Sequence, residues 1–257
     1  MPSRDREQVG RPRSASRAHP RDVAAAVRVA LGREPRVDLA RHPLALGFSD
    51  GVLTVEGEVE TLAAKKLALE RAAATGGVRN IVDRLRVRPA QPMADAEIGD
   101  HLGDALLDEP AFRECALRLR RGGRPRALRE PPGAVGRVEV EVAGGVVTLS
   151  GEVPSLAHKR LAGVLAWWVP GSRDVVNGLE VVPAEEDGED EIADAVRIAL
   201  EKDPLLDEAG IRVAVRGTVV ELEGSVPSAL QRDAADSDAW SVFAVDGVVN
   251  RLEVRSP

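Results

Sequence analysis

Six arginines crowd into one short stretch: Arg118, Arg120, Arg121, Arg124, Arg126 and Arg129, placed around Gly122-Gly123. A guanidinium pairs bidentately with phosphate or carboxylate, so this spacing points to an anion contact. Segment 113–137 as a whole holds eight Arg against Glu114 and Glu130. Three targets compete for it. The first is an anionic phospholipid surface, near which each basic side chain is worth about 1 kcal/mol. The second is nucleic acid, which the formal net charge of −7 opposes. The third is internal, because residues 185–257 hold 18 acidic side chains against 7 basic ones. A hydrated loop is the plain alternative.

Other candidate chemistry is sparse. Cys115 is the one cysteine, which excludes an intramolecular disulfide. His19, His42, His101 and His158 are scattered, with no metal-ligand spacing. Asp233, Asp236 and Asp238 are read as a solvated helix face, since a hard cation needs several convergent oxygens. Trp167, Trp168 and Trp240 fall late in helices. Trp167 and Trp240 share a register and are read as core, whereas Trp168 is a candidate for an exposed membrane or partner contact. No nucleophile motif, Walker loop or dinucleotide fingerprint appears, so no cofactor and no metal are expected.

The elements that must position these residues are repeated. Val146 to Leu156 reads V-V-T-L-S-G-E-V-P-S-L, and versions of it recur at Val52 to Leu62 and Val219 to Ala229. A second phrase follows each, at Gly77 to Val87, Gly171 to Val181 and Ala244 to Val254. From the signature glycine to the closing valine is 30 residues in every copy (Gly57 to Val87, Gly151 to Val181, Gly224 to Val254). Three small units are therefore expected rather than one large domain. Units of this size bury only about 60% of their unfolded surface and are marginal alone, so docking between them is expected.

Each unit opens with apolar residues on one helical face: Val23, Val27, Ala30 and Leu31, then Ile98, Leu102, Ala105 and Leu106, then Ile192, Val196, Ala199 and Leu200. Pro35, Pro110 and Pro204 stop these helices. Period-two alternation follows, as in Val138, Val140 and Val142 before Gly144-Gly145 and Val147 and Leu149 after it, which predicts a hairpin with one buried face. The signature glycines lie on the inward parity, where a missing side chain admits another backbone or relaxes a strand end. Thr61, Ser155 and Ser228 are placed to cap a second helix, and Asp83, Asn177 and Asn250 to cap a turn. Residues 1–21, with six Arg, read as a disordered basic tail. The units are expected at 22–88, 95–183 and 190–255. The second is longer: Leu106 precedes Val147 by 41 residues, against 22 from Leu31 to Leu53 and 20 from Leu200 to Val220. The excess lies within 113–137 and reads as an extra hairpin turning at Gly122-Gly123.

The unit resembles the BON domain family, a small bacterial module of osmotic-stress and envelope proteins. The resemblance rests on V-x-L-x-G-x-V before a second helix and on G-V-x-x-V-x-N-x-L-x-V at the close. Val147, Leu149, Gly151, Val153, Val175, Asn177, Leu179 and Val181 carry it in unit two. Val220, Leu222, Gly224, Val226, Val248, Asn250, Leu252 and Val254 carry it in unit three, and unit one has Asp83 in place of the asparagine. It implies an α/β (α+β) fold of three tandem αββαβ units, each a three-stranded sheet with two helices on one face. It also implies non-catalytic binding, to anionic phospholipid or another envelope component, with a link to stress. A small-ligand or ion sensor using clefts between units is the alternative reading, and an enzyme the third. The start of the chain has no apolar run, so a cytoplasmic address, peripheral at the inner membrane, is expected. The oligomeric state is not written in these features.

Overall fold

The computed structural model describes residues 20–185 and 187–255. The basic tail expected at 1–21 lies outside the described residues up to 19, and Pro20 already opens the first helix.

Unit one runs α1 (Pro20–Leu31), β1 (Ala45–Ser49), β2 (Val52–Val59), α2 (Leu62–Ala73), β3 (Asn80–Val87). β1 and β2 form an antiparallel hairpin, and β3 lies parallel to β2 after the α2 crossover. Val23, Val27 and Leu31 on α1 pack with Ala64, Ala68 and Ala72 on α2 over Leu53, Val55 and Leu85 of the sheet. Between them Thr54 and Glu56 face away, as a one-sided sheet requires. Unit three repeats this plan with α5 (Glu189–Lys202), β9 (Ile211–Arg216), β10 (Val219–Val226), α6 (Ala229–Ser241) and β11 (Gly247–Val254). Thr61 Oγ1, Ser155 Oγ and Ser228 Oγ accept from the backbone N–H three residues on, at 3.1, 3.3 and 3.3 Å, and so start the second helix of each unit. The Gln231 amide does not close a capping box; it donates to Leu205 O at 2.8 Å.

Unit two contains α3 (Asp95–Asp108), β4 (Cys115–Arg121), β5 (Arg124–Arg129), β6 (Gly136–Ala143), β7 (Val146–Val153), α4 (Leu156–Trp168) and β8 (Asp174–Val181). The inserted residues form the hairpin β4–β5, turning at Gly122-Gly123. β4 pairs parallel to β6, so this sheet has five strands, in the order β5-β4-β6-β7-β8, rather than three. The cause lies in the alternation of β4: Cys115, Leu117 and Leu119 are fully buried and, with Phe112, complete the core over Ile98, Leu102 and Leu106. The segment is thus neither a hydrated loop nor a spacer.

The units are docked through their second helices. α6 packs on α2 and on α4, and α4 also packs on α5. Between units one and two the backbone itself is bonded, Val87 N donating to Arg173 O at 2.7 Å.

Candidate functional site

Strand geometry divides the six arginines between two faces. Leu117 and Leu119 point to the helices, so Arg118 and Arg120 point the other way. There Arg118 Nε donates to Glu130 at 2.6 Å and Arg120 Nε to Glu139 at 2.7 Å. Arg121 is on the helix side and pairs with Asp100 of α3. Arg129 donates to Leu107 O at 2.6 Å and Phe112 O at 3.3 Å, closing the carbonyl end of α3. Arg124 and Arg126 remain exposed on the edge strand β5, with no partner among the described residues. Every partner of the hairpin arginines lies inside unit two, so the arm does not dock on acidic unit three. Charge and Pro125 along β5 also guard that edge against pairing with another chain.

The signature residues are used locally. A Cβ on Gly151 would lie 2.1 Å from Arg137 O, and one on Gly224 2.0 Å from Gly210 O. The start of the preceding strand fills the space a side chain would take. Asn177 Nδ2 donates to Lys159 O at 2.7 Å, and Asn250 Nδ2 to Arg232 O at 3.0 Å. Each therefore ties the last strand of its unit to the second helix. Asp83 has no proton to donate. Instead Lys65, in the register of Lys159 and Arg232, turns its ammonium inward to Asp83 at 2.9 Å. It also reaches Leu85 O at 3.0 Å and Asp174 of unit two at 2.6 Å, and Arg86 binds that same carboxylate at 2.9 Å. The departure from asparagine in unit one is thus where units one and two are joined.

Unit three is held by the next position along. Lys66 of unit one and Arg160 of unit two share a register, and both reach the loop after α6. Lys66 Nζ donates to Trp240 O at 2.8 Å, Val242 O at 3.3 Å and Val245 O at 2.7 Å. Burial pushes this ammonium down to about 8, while three carbonyls match its three donors. Arg160, 1% exposed, pairs with Asp187 and reaches Phe243 O at 3.4 Å. The tryptophans divide in the same way. Trp240 is buried with Arg36 and Lys66 over its ring. Trp167 leaves its own unit to pack on the core of unit one. Trp168 is not a free membrane anchor; it packs against the cores of units two and three and donates to Asp238 at 2.9 Å.

Clefts lie between the docked units. One of about 740 Å³ lies between units one and three, lined by Arg36, Arg41, His42, Arg232, Trp240 and Leu252 among others. Another of about 470 Å³ lies where all three meet, with Trp167, Phe243 and Asp246 in its walls. The aspartates on α6 do not converge: Asp233 pairs with Arg232, Asp236 with Arg36, and Asp238 is buried. Among the described residues no three His, Cys, Asp or Glu side chains are grouped to hold a metal. Cys115 is buried, and burial pushes its thiol up, away from the reactive thiolate. His158 sits 2.7 Å from Ser155 Oγ, but that hydroxyl caps α4 and the other ring nitrogen is bonded to Ala111 O. The splitting of the arginines was readable from strand parity; the long reaches of Lys65, Lys66 and Trp167 had no signal in local spacing.

Three units of this topology, each carrying the same glycine on its middle strand, define a tandem repeat of one small α/β module. The chain belongs to the BON domain family, whose model matches residues 21–89, 128–183 and 188–256. The second match begins within β5 and so leaves out α3 and β4. The chain is 32% identical over 124 residues to Osmotically-inducible protein Y of Escherichia coli (strain K12), a stretch that is 46% of this chain and 62% of that protein. Among solved structures, two of CdsD, a structural protein of the Type III secretion system of Chlamydia trachomatis, align over 91% of this chain. They cover 98% and 92% of those chains, with 14% identity and a TM-score of 0.24, a likeness too weak to carry a conclusion. No described helix is long and apolar enough to cross a membrane.

Proposed function

We propose that this is a non-catalytic binding and scaffold protein, stress-linked and associated with the cell envelope, that meets anionic phospholipid at the inner membrane surface. The observation that carries this reading is the use of every signature position for internal bonding, in three units docked as one body. What remains for partners is surface, and the β5 edge, where Arg124 and Arg126 are exposed without side-chain partners among the described residues, is a basic part of it. The relation to an osmotically inducible protein supports the link to stress.

Sedimentation with vesicles tests it. Vesicles containing anionic phospholipid should retain the protein at low salt and release it as salt rises, whereas neutral vesicles should not retain it. Arg124→Ser with Arg126→Ser should weaken retention by about tenfold, two basic contacts at about 1 kcal/mol each being partly screened. Equal retention on neutral vesicles, or no effect of the double variant, contradicts the reading. The larger cleft favours a second reading, a small-ligand sensor. In that case an added metabolite should raise the unfolding temperature, because it binds only the folded chain.

A further inference from the structure

A buried carboxyl sits where units two and three meet. Asp238, on α6, is 5% exposed. Its Oδ1 accepts a hydrogen bond from Trp168 Nε1 of α4 at 2.9 Å. Its Oδ2 is enclosed and has no donor among the described residues. The neighbour whose charge and hydrogen bond act on this carboxyl is a second one, Asp203, at the end of α5. Asp203 is fixed in place, its Oδ1 accepting from Leu205 N at 2.8 Å and its own N–H donating to Ala199 O at 3.2 Å. An enclosed Asp238 carboxyl beside this second carboxyl is driven toward its neutral form. One proton resolves the repulsion and the orphaned oxygen together, with Asp238 Oδ2–H donating to Asp203.

The other charges on the elements packed against α6 are engaged elsewhere. Lys66 on α2 holds the Trp240, Val242 and Val245 carbonyls. On α4, Lys159 lies over the Phe243 ring and Arg160 pairs with Asp187. On α5, Lys202 is 2.8 Å from Glu109. Asp236, two residues before Asp238 on α6 itself, is held by Arg36. The strands beneath present Val220, Leu222 and Leu252. No cation among these compensates a charge on Asp238.

We propose that the Asp203–Asp238 pair, holding one proton, is a pH-sensitive latch between units two and three. Protonated, it draws α5 and α6 together beneath Trp168. When the proton leaves, the new charge must be hydrated, and water reaches it by displacing Trp168, which parts α4 from α6. Burial, then the charge and hydrogen bond of Asp203, push the Asp238 carboxyl up to about 8, and the Trp168 bond offsets part of that rise. The folded value thus lies above the unfolded one of about 3.9. The latch therefore contributes fully below about pH 4, and its contribution is lost as pH rises to about 8.

Hydrogen exchange of α4 and α6 amides in the full chain, corrected for the intrinsic pH dependence of exchange, reads the latch. Opening should increase by up to about tenfold per pH unit between pH 6 and 8, the limit for a single proton. Asp238→Asn keeps both bonds, since its amide NH₂ donates to Asp203 and its oxygen accepts from Trp168, and should give a flat profile. Asp203→Asn removes the charge and hydrogen bond that help raise the Asp238 carboxyl but leaves its burial, so it should end the slope at a lower pH, and it serves if the first variant folds poorly. Glu253→Gln, exposed on β11, should keep the wild-type slope. A flat wild-type profile, or a slope unchanged in both asparagine variants, overturns the latch.

Discussion

A carbonyl oxygen stands where a side chain on Gly151 or Gly224 would begin, and both glycines hold φ values, +119° and +126°, that other residues rarely adopt. Gly151→Ala and Gly224→Ala should each lower stability in denaturant unfolding by about 1–3 kcal/mol through backbone strain. Gly57→Ala should cost less. Its Cβ would meet the movable end of Leu44 at 2.7 Å, with the nearest backbone atom, Pro43 O, at 3.2 Å. Equal, negligible losses at all three positions would remove the close-approach account. The inward parity of these glycines was legible in the strand alternation. The residue-scale surprise is Lys65. Spacing placed it in register with Lys159 and Arg232, but nothing local shows that an acid at position 83 turns the lysine inward, or that Asp174 waits across a unit boundary.

At the scale of elements, the β4–β5 hairpin is part of the second core. Phe112, Cys115, Leu117 and Leu119 are each 2% exposed or less. Burying such side chains is worth about 1.5–3 kcal/mol each, a sum comparable to the whole stability of a small domain. A chain in which residues 115–129 are replaced by a short Gly-Ser linker should therefore lose the fold of unit two, read as insolubility or loss of near-ultraviolet dichroism. Recovery of a soluble, cooperatively folded chain would show the hairpin to be dispensable. Its existence was legible from Gly122-Gly123 between two alternating runs. Its arginine partners were not: parity separates the faces, but only the fold brings Glu130 and Glu139 beside Arg118 and Arg120 and Asp100 beside Arg121. A count of basic residues cannot distinguish a free charge from one already paired, and of the six Arg124 and Arg126 are without a side-chain partner among the described residues.

At the scale of the molecule, three repeats were legible from a 30-residue spacing, whereas their docking was not. The contacts that join them, Lys65 to Asp174, Lys66 to the carbonyls after α6, Trp168 to Asp238, link residues that no periodicity relates. Small units with marginal cores gain from such seams, and ammonium groups buried in them are costly to leave without acceptors. Joined by these seams, the three units should unfold as one cooperative body. Calorimetry of the full chain at pH 6, where the Asp203–Asp238 pair retains its proton, tests it most directly. One transition with equal calorimetric and van't Hoff enthalpies is the expected result. Three resolved transitions, or a van't Hoff enthalpy about one third of the calorimetric value, would mean that the units unfold independently and would contradict the account.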